Sequence, residues 1–226
     1  MKDPLSDFEW SSLYRRYDNR CLSFDRRSVF ISAHEVGRPE SDRTLYYQLI
    51  DLFSEGRRSS IAEPIGIYEA LLYWKLYSQS TTSYSLDKWL RQDVSERKKA
   101  QDRLLMLFQE IPATLAKCPS EIVERVKWLG EFQLPGMASP GSLPVRTTFL
   151  HFLYPSVVPI FDQMVLKAIG AWGKNANRKT SVLKNYIPFA WELAEEHAQQ
   201  ISGFIKEEPM RVIDMALWVS RGEGER

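Results

Sequence analysis

The chain has 226 residues, 44% of them hydrophobic and 26% charged, with a formal net charge of +1. That length and balance suit one good-sized globular core or two lobes, and the small net charge gives no bulk attraction to nucleic acid or membrane, so such a partner must be read from charge distribution. Cys21 and Cys118 lie far apart without partners at metal spacing, which argues against a disulfide framework and a zinc or iron–sulfur site.

The first nine residues lack the apolar run of a signal peptide. No stretch approaches the roughly 18 successive apolar residues of a membrane span. A cytoplasmic protein with no membrane partner is the expectation. Ser6 to Tyr14 starts a short helix, and Phe24 to His34 forms another before the Gly37-Arg-Pro breaker. Ser41 caps a helix whose Leu45, Leu49, Ile50, Leu52 and Phe53 fall at helical period. Gly56-Arg-Arg-Ser-Ser is a loop. Pro64 opens a helix, Ile65 to Tyr77, that is apolar on nearly every face and so belongs at the centre of a core. Ser78 to Tyr84 is a polar loop, either an ordinary connection or a ligand contact.

Ser85 to Gln92 and Ser95 to Glu110 read as helices, with Arg97-Lys98-Lys99 on a solvated face. Pro119-Ser-Glu opens a helix over Ile122 to Leu129 that ends at Gly130. Leu134-Pro-Gly and Ser139-Pro-Gly then make Phe132 to Pro144 a loop. From Leu143 an apolar helix leads through a turn with two prolines to a second helix opened by Asp162. Gly170 to Thr180 is a basic loop rich in glycine and asparagine. Thr180 to Ile205 and Met210 to Val219 are helical, with Trp191, Leu193, Phe204, Met215, Leu217 and Trp218 as core contacts, and Arg221 to Arg226 is a disordered tail. No alternating run is long enough for a strand, so the fold class is all-α.

Asp162 is set apart by its isolation. It is the one carboxylate between Phe132 and Trp191, where Arg146, Lys167, Lys174, Arg178, Lys179 and Lys184 are all basic. Two readings stand side by side: a plain helix N-cap, or an acid placed for chemistry. His151, on the preceding apolar helix, is either a hydrogen-bonded interior residue or part of a site. The tryptophans and tyrosines sit at helical spacing and read as core before they read as a stacking platform. The chain has no phosphate loop, nucleophile elbow, zincin motif or zinc-deaminase pattern.

Apolar helix, turn, Pro159-Ile160-Phe161-Asp162, two residues and Val165 together resemble the helix-hairpin-helix DNA glycosylase superfamily, where an Asp in this context is catalytic. Leu134-Pro135-Gly136 resembles the start of that family's hairpin. Leu71-Leu72-Tyr-Trp-Lys-Leu-Tyr-Ser78-Gln79-Ser80-Thr81 is similar to its helix ending in Leu-x-x-Gln-x-Thr, whose Gln fills the gap left by an extruded base. The matches run in family order over about residues 64 to 170. Three departures accompany them: Met137 to Pro144 displaces the hairpin's second glycine, the backbone-cleaving lysine is replaced by Arg146, and the family's four-cysteine cluster is missing. A guanidinium stays protonated and forms no Schiff base, so the resemblance implies a monofunctional enzyme that uses water.

The resemblance also implies a two-lobed helical domain over 1–220 with its active site in the cleft between lobes. One lobe is expected over about 1–45 plus 165–220, the other over about 46–164. Asp162 would stabilise the positive charge that builds on the sugar as the N-glycosidic bond breaks, and activate the water. A base buried in a duplex must be flipped out, and Gln79 would plug the gap. Arg146, Lys167, Lys174, Arg178 and Lys179 would hold phosphates. Trp74, Tyr77, His151 and Tyr154 are candidates for the base pocket. DNA is the expected partner, with no cofactor and no metal. Oxidised, alkylated, mismatched and naturally modified bases all remain open as substrates, in repair or in defence against foreign DNA. The alternative is a non-catalytic helical module that binds DNA or protein.

Overall fold

The computed structural model describes residues 1–20, 41–54, 64–76 and 94–221. In these, ten α-helices follow in order: α1 (Leu13–Arg20), α2 (Asp42–Phe53), α3 (Pro64–Leu76), α4 (Val94–Glu110), α5 (Pro119–Trp128), α6 (Leu143–Leu153), α7 (Gln163–Ala168), α8 (Thr180–Glu196), α9 (Ala198–Ile201) and α10 (Pro209–Ser220). Short 3-10 helices occupy Trp10–Ser12, Leu129–Phe132 and Ala176–Arg178. No strand occurs among the described residues. The all-α expectation holds for them. The expected helices over 24–34 and 85–92, the 56–60 and 78–84 loops and the tail from 222 lie outside the described residues.

The chain divides into two compact units, Met1–Cys21 with Leu115–Lys127 and Pro140–Arg226, and Leu22–Thr114 with Trp128–Ser139. These boundaries differ from the lobes expected from sequence, because residues 115–127 and 140–164 pack with the terminal segments. Asp162 therefore shares a unit with the basic segment that follows it.

In the second unit, α3 packs against both α2 and α4. Ile67, Tyr68, Leu71 and Leu72 are essentially inaccessible to solvent, as expected of a helix apolar all round. Its buried acid, Glu69, is neutralised by Arg97 of α4, whose Nε and Nη2 donate to the carboxylate at 2.9 and 3.0 Å. Arg97 is thus a structural partner, where the sequence placed a solvated charge run. Ser41 caps α2 as expected, its hydroxyl accepting from the Thr44 amide at 3.1 Å.

In the first unit, α10 contacts α1, α7 and α8. Buried Arg211 fixes α10 to α1: one guanidinium nitrogen donates to Asp214 at 2.6 Å, and another to the Tyr17 hydroxyl at 2.9 Å. In α6, every residue except Pro144 is buried. The helix expected over 180–205 ends at Glu196, and His197 separates it from α9.

Candidate functional site

The site is built around the turn 154–162, between α6 and α7. Four side chains, two from α6 and two from α8, hold its backbone. His151 Nδ1–H donates to the Val158 carbonyl at 2.7 Å. Thr147 Oγ1 accepts from the Phe161 amide at 3.2 Å and lies 3.0 Å from the Leu143 carbonyl, to which it donates within its own helix. From α8, Trp191 Nε1 donates to the Val157 carbonyl at 2.8 Å and the Tyr186 hydroxyl to the Ile160 carbonyl at 3.1 Å. Buried backbone groups need such partners. Pro159 needs none for its nitrogen, having no N–H. The turn is over-determined by its surroundings, and so is the position of the residue that ends it.

That residue is Asp162. It is half-buried with an extended backbone, and its Oδ1 accepts from the amides of Met164 and Val165 at 2.8 and 2.9 Å. The N-cap geometry read from sequence is present, and the charge sits at the positive end of α7. Nearby, the Tyr186 phenol is held well above its ordinary 10.0, first by burial and then by the charges of Asp214 and Asp162.

Gly170 follows α7 with φ +70°, left-handed backbone that glycine adopts without strain, and Ala171 N–H returns to the Leu166 carbonyl at 2.8 Å. The turn Ala176–Arg178 folds back against α6, α7 and α8. Lys167, Lys174, Arg178 and Lys179 are all exposed, as is Trp172 at 38%. Arg178 lies across Gly141, where an added Cβ would come within 3.0 Å of its Nε. Asp162, the turn held by four side chains and four exposed cations thus belong to one unit.

Other expected site residues fall elsewhere. Arg146 is 7% exposed and its Nη1 donates to the Val126 carbonyl at 3.3 Å, so it is interior and not a surface phosphate contact. His151 is completely buried and its Nδ1 is used by the turn, as its interior reading expects. Tyr154 is 5% exposed and Trp74 7%, the latter beside Tyr46 with ring centroids 5.9 Å apart in the second unit. Tyr77 and Gln79 lie outside the described residues. Of the hairpin, Gly136 adopts φ +75° within a turn closed by Met137 N–H to the Leu134 carbonyl at 2.9 Å.

Sequence reasoning missed Thr147, Tyr186 and Trp191 as the groups that position Asp162. Their partners lie 14 to 34 residues away, and no local spacing announces such pairs. Comparison with known proteins finds no matching family model, no matching curated protein and no matching solved structure.

Proposed function

We propose that this protein is a monofunctional DNA N-glycosylase in which Asp162 is the catalytic carboxylate. The observation that carries the proposal is a half-buried acid at the end of a turn held by four side chains, followed by exposed Lys167, Lys174, Arg178 and Lys179 with no second acid among them. The resemblance of Pro159-Ile160-Phe161-Asp162 and of the helix before Gln79 to the glycosylase family supports the same reading. In the reaction, the bond from the sugar's anomeric carbon to the base breaks with its electron pair leaving on the base, which takes up a proton, and positive charge is left on the sugar. The Asp162 carboxylate stabilises that charge and accepts a proton from the attacking water, whose oxygen ends on the sugar. The cations hold the phosphates, and the target base is extruded before it reacts.

A second reading has an observation of its own. Both α7 amides converge on one oxygen of Asp162, as in any acidic N-cap, which suits a non-catalytic helical module that binds nucleic acid. The two part on Asp162→Asn, since Asn caps a helix about as well as Asp but carries no charge. Duplexes with oxidised, alkylated, mismatched and naturally modified bases, and phage genomic DNA, are incubated with wild type and with the variant. Alkali-labile abasic sites made by the wild type alone support the glycosylase. Product from neither, with DNA binding intact in both, selects the binding module.

A further inference from the structure

The sequence carries no pair of cysteines at metal-ligand spacing. The fold assembles one constellation that spacing does not show. Among the described residues, Asp3, Glu196 and His197 form the group of potential ligands whose donor atoms all lie within 4.8 Å of one another. We propose that these three residues bind a divalent cation of the zinc class, fastening the N-terminal segment to the C-terminal end of α8.

Four observations carry the proposal. His197 is 9% exposed, and its Nε2 is buried without a hydrogen-bond partner, a condition that polar atoms in folded proteins rarely tolerate. That nitrogen faces Asp3 Oδ2 at 3.5 Å. The distance is long for a hydrogen bond, yet it matches the edge of a tetrahedron with metal–ligand bonds near 2.1 Å, about 3.4 Å. The ligands are also oriented by other groups, as metal ligands usually are. Asp3 Oδ1 accepts from the Leu5 amide at 2.7 Å, which turns Oδ2 toward His197. The imidazole lies against Trp10, ring centroids 5.2 Å apart. Finally, the charges suit a dication. Two carboxylates balance it, the imidazole ligates as the neutral base, and the C-terminus of the 17-residue α8 adds partial negative charge. Glu196 is exposed, so its carboxylate closes onto the metal from the solvent side, and water completes a four-coordinate shell.

The competing account of the same atoms is an ion pair between protonated His197 and Asp3, which requires no metal. The test uses the full chain, stripped with chelator and titrated with Zn2+ by calorimetry, with Co2+ as the spectroscopic probe. The expected result is one Zn2+ per chain, a thermal midpoint that rises with Zn2+ concentration, and a visible Co2+ band of tetrahedral intensity. Asp3→Asn and Glu196→Gln keep size and shape, and each should weaken Zn2+ by at least tenfold while leaving the metal-free thermal midpoint within a degree or two. His197→Ala should abolish the Co2+ band. Absence of saturable binding by the wild type would overturn the proposal, as would Zn2+ affinity unchanged in both conservative variants. The site is separate from Asp162, so abasic-site activity does not decide it.

Discussion

At the scale of single residues, Asp162 is the observed cap of α7 and the proposed catalytic carboxylate, and substitution separates the two. Asp162→Ala removes the acceptor for two α7 amides and should cost about 1 kcal/mol of stability, seen as a lower denaturant midpoint with unchanged slope. Asp162→Asn should cost much less, because the amide oxygen still caps. If Asp162 is the catalytic carboxylate, abasic-site formation vanishes in both, so the two measurements together distinguish lost chemistry from lost fold. Tyr186 offers a pH test. Its folded-state pKa lies above the ordinary value, so above pH about 10 the unfolded chain gives up the phenolic proton while the folded chain keeps it. Stability contributed by the neutral phenol is therefore present below that pH and falls as pH rises through it. Urea midpoints between pH 9 and 11 should decline less steeply in Tyr186→Phe than in wild type. The phenylalanine variant should also lose about 1 kcal/mol at neutral pH, from the bond to the Ile160 carbonyl.

At the scale of elements, two helices are each buried on nearly every side, α3 in one unit and α6 in the other. A buried helix must have its polar groups answered. In α3 the answer is Arg97, which reaches Glu69 from α4 with two hydrogen bonds. Arg97→Ala takes a charge partner and two hydrogen bonds from that buried carboxylate, and should destabilise the protein by about 1.5–3 kcal/mol. Lys98→Ala and Lys99→Ala, next along the same basic run, should cost less than half as much. Equilibrium unfolding of the three variants decides whether this run is a solvated face or a structural one. In α6 the polar groups serve the next turn instead, with Thr147 and His151 holding Phe161 and Val158. Helix and turn therefore act as one piece. That coupling gives the turn a fixed shape from residues that look like ordinary core.

At the scale of the whole molecule, net charge says little and its distribution says more. A total of +1 conceals a segment whose exposed cations, Lys167, Lys174, Arg178 and Lys179, follow a lone acid. If these four neutralise phosphates, log K for duplex DNA should fall with log salt at a slope of about −3.6. Each replacement by Gln should reduce the slope by about 0.9 without shifting the thermal midpoint. Fluorescence anisotropy over a salt series measures this. A slope near zero in the wild type would remove DNA from this surface. Gly141→Ala tests the same surface indirectly, since the added methyl displaces Arg178 and should weaken DNA binding with little change in stability.

Much of this was legible in the chain itself. Helical periodicity located α2, α3, α4 and α10 because a helix repeats every 3.6 residues and each turn reports its own buried face. Ser41 and Asp162 announced their caps because capping involves residues only two or three positions apart. Even the lone acid in a basic segment is a property of order along the chain. The tertiary structure decided matters that depend on distant partners. Arg146 looks like any cation in the sequence, yet packing placed it inside, on the Val126 carbonyl. The break of α8 at His197 follows no breaker residue. The pinning of the turn by Tyr186 and Trp191, and the meeting of Asp3 with His197, join positions tens to nearly two hundred residues apart. Local sequence fixes which hydrogen bonds a backbone can make with its neighbours, while long-range contacts are chosen by the packing of faces that the sequence presents but does not pair.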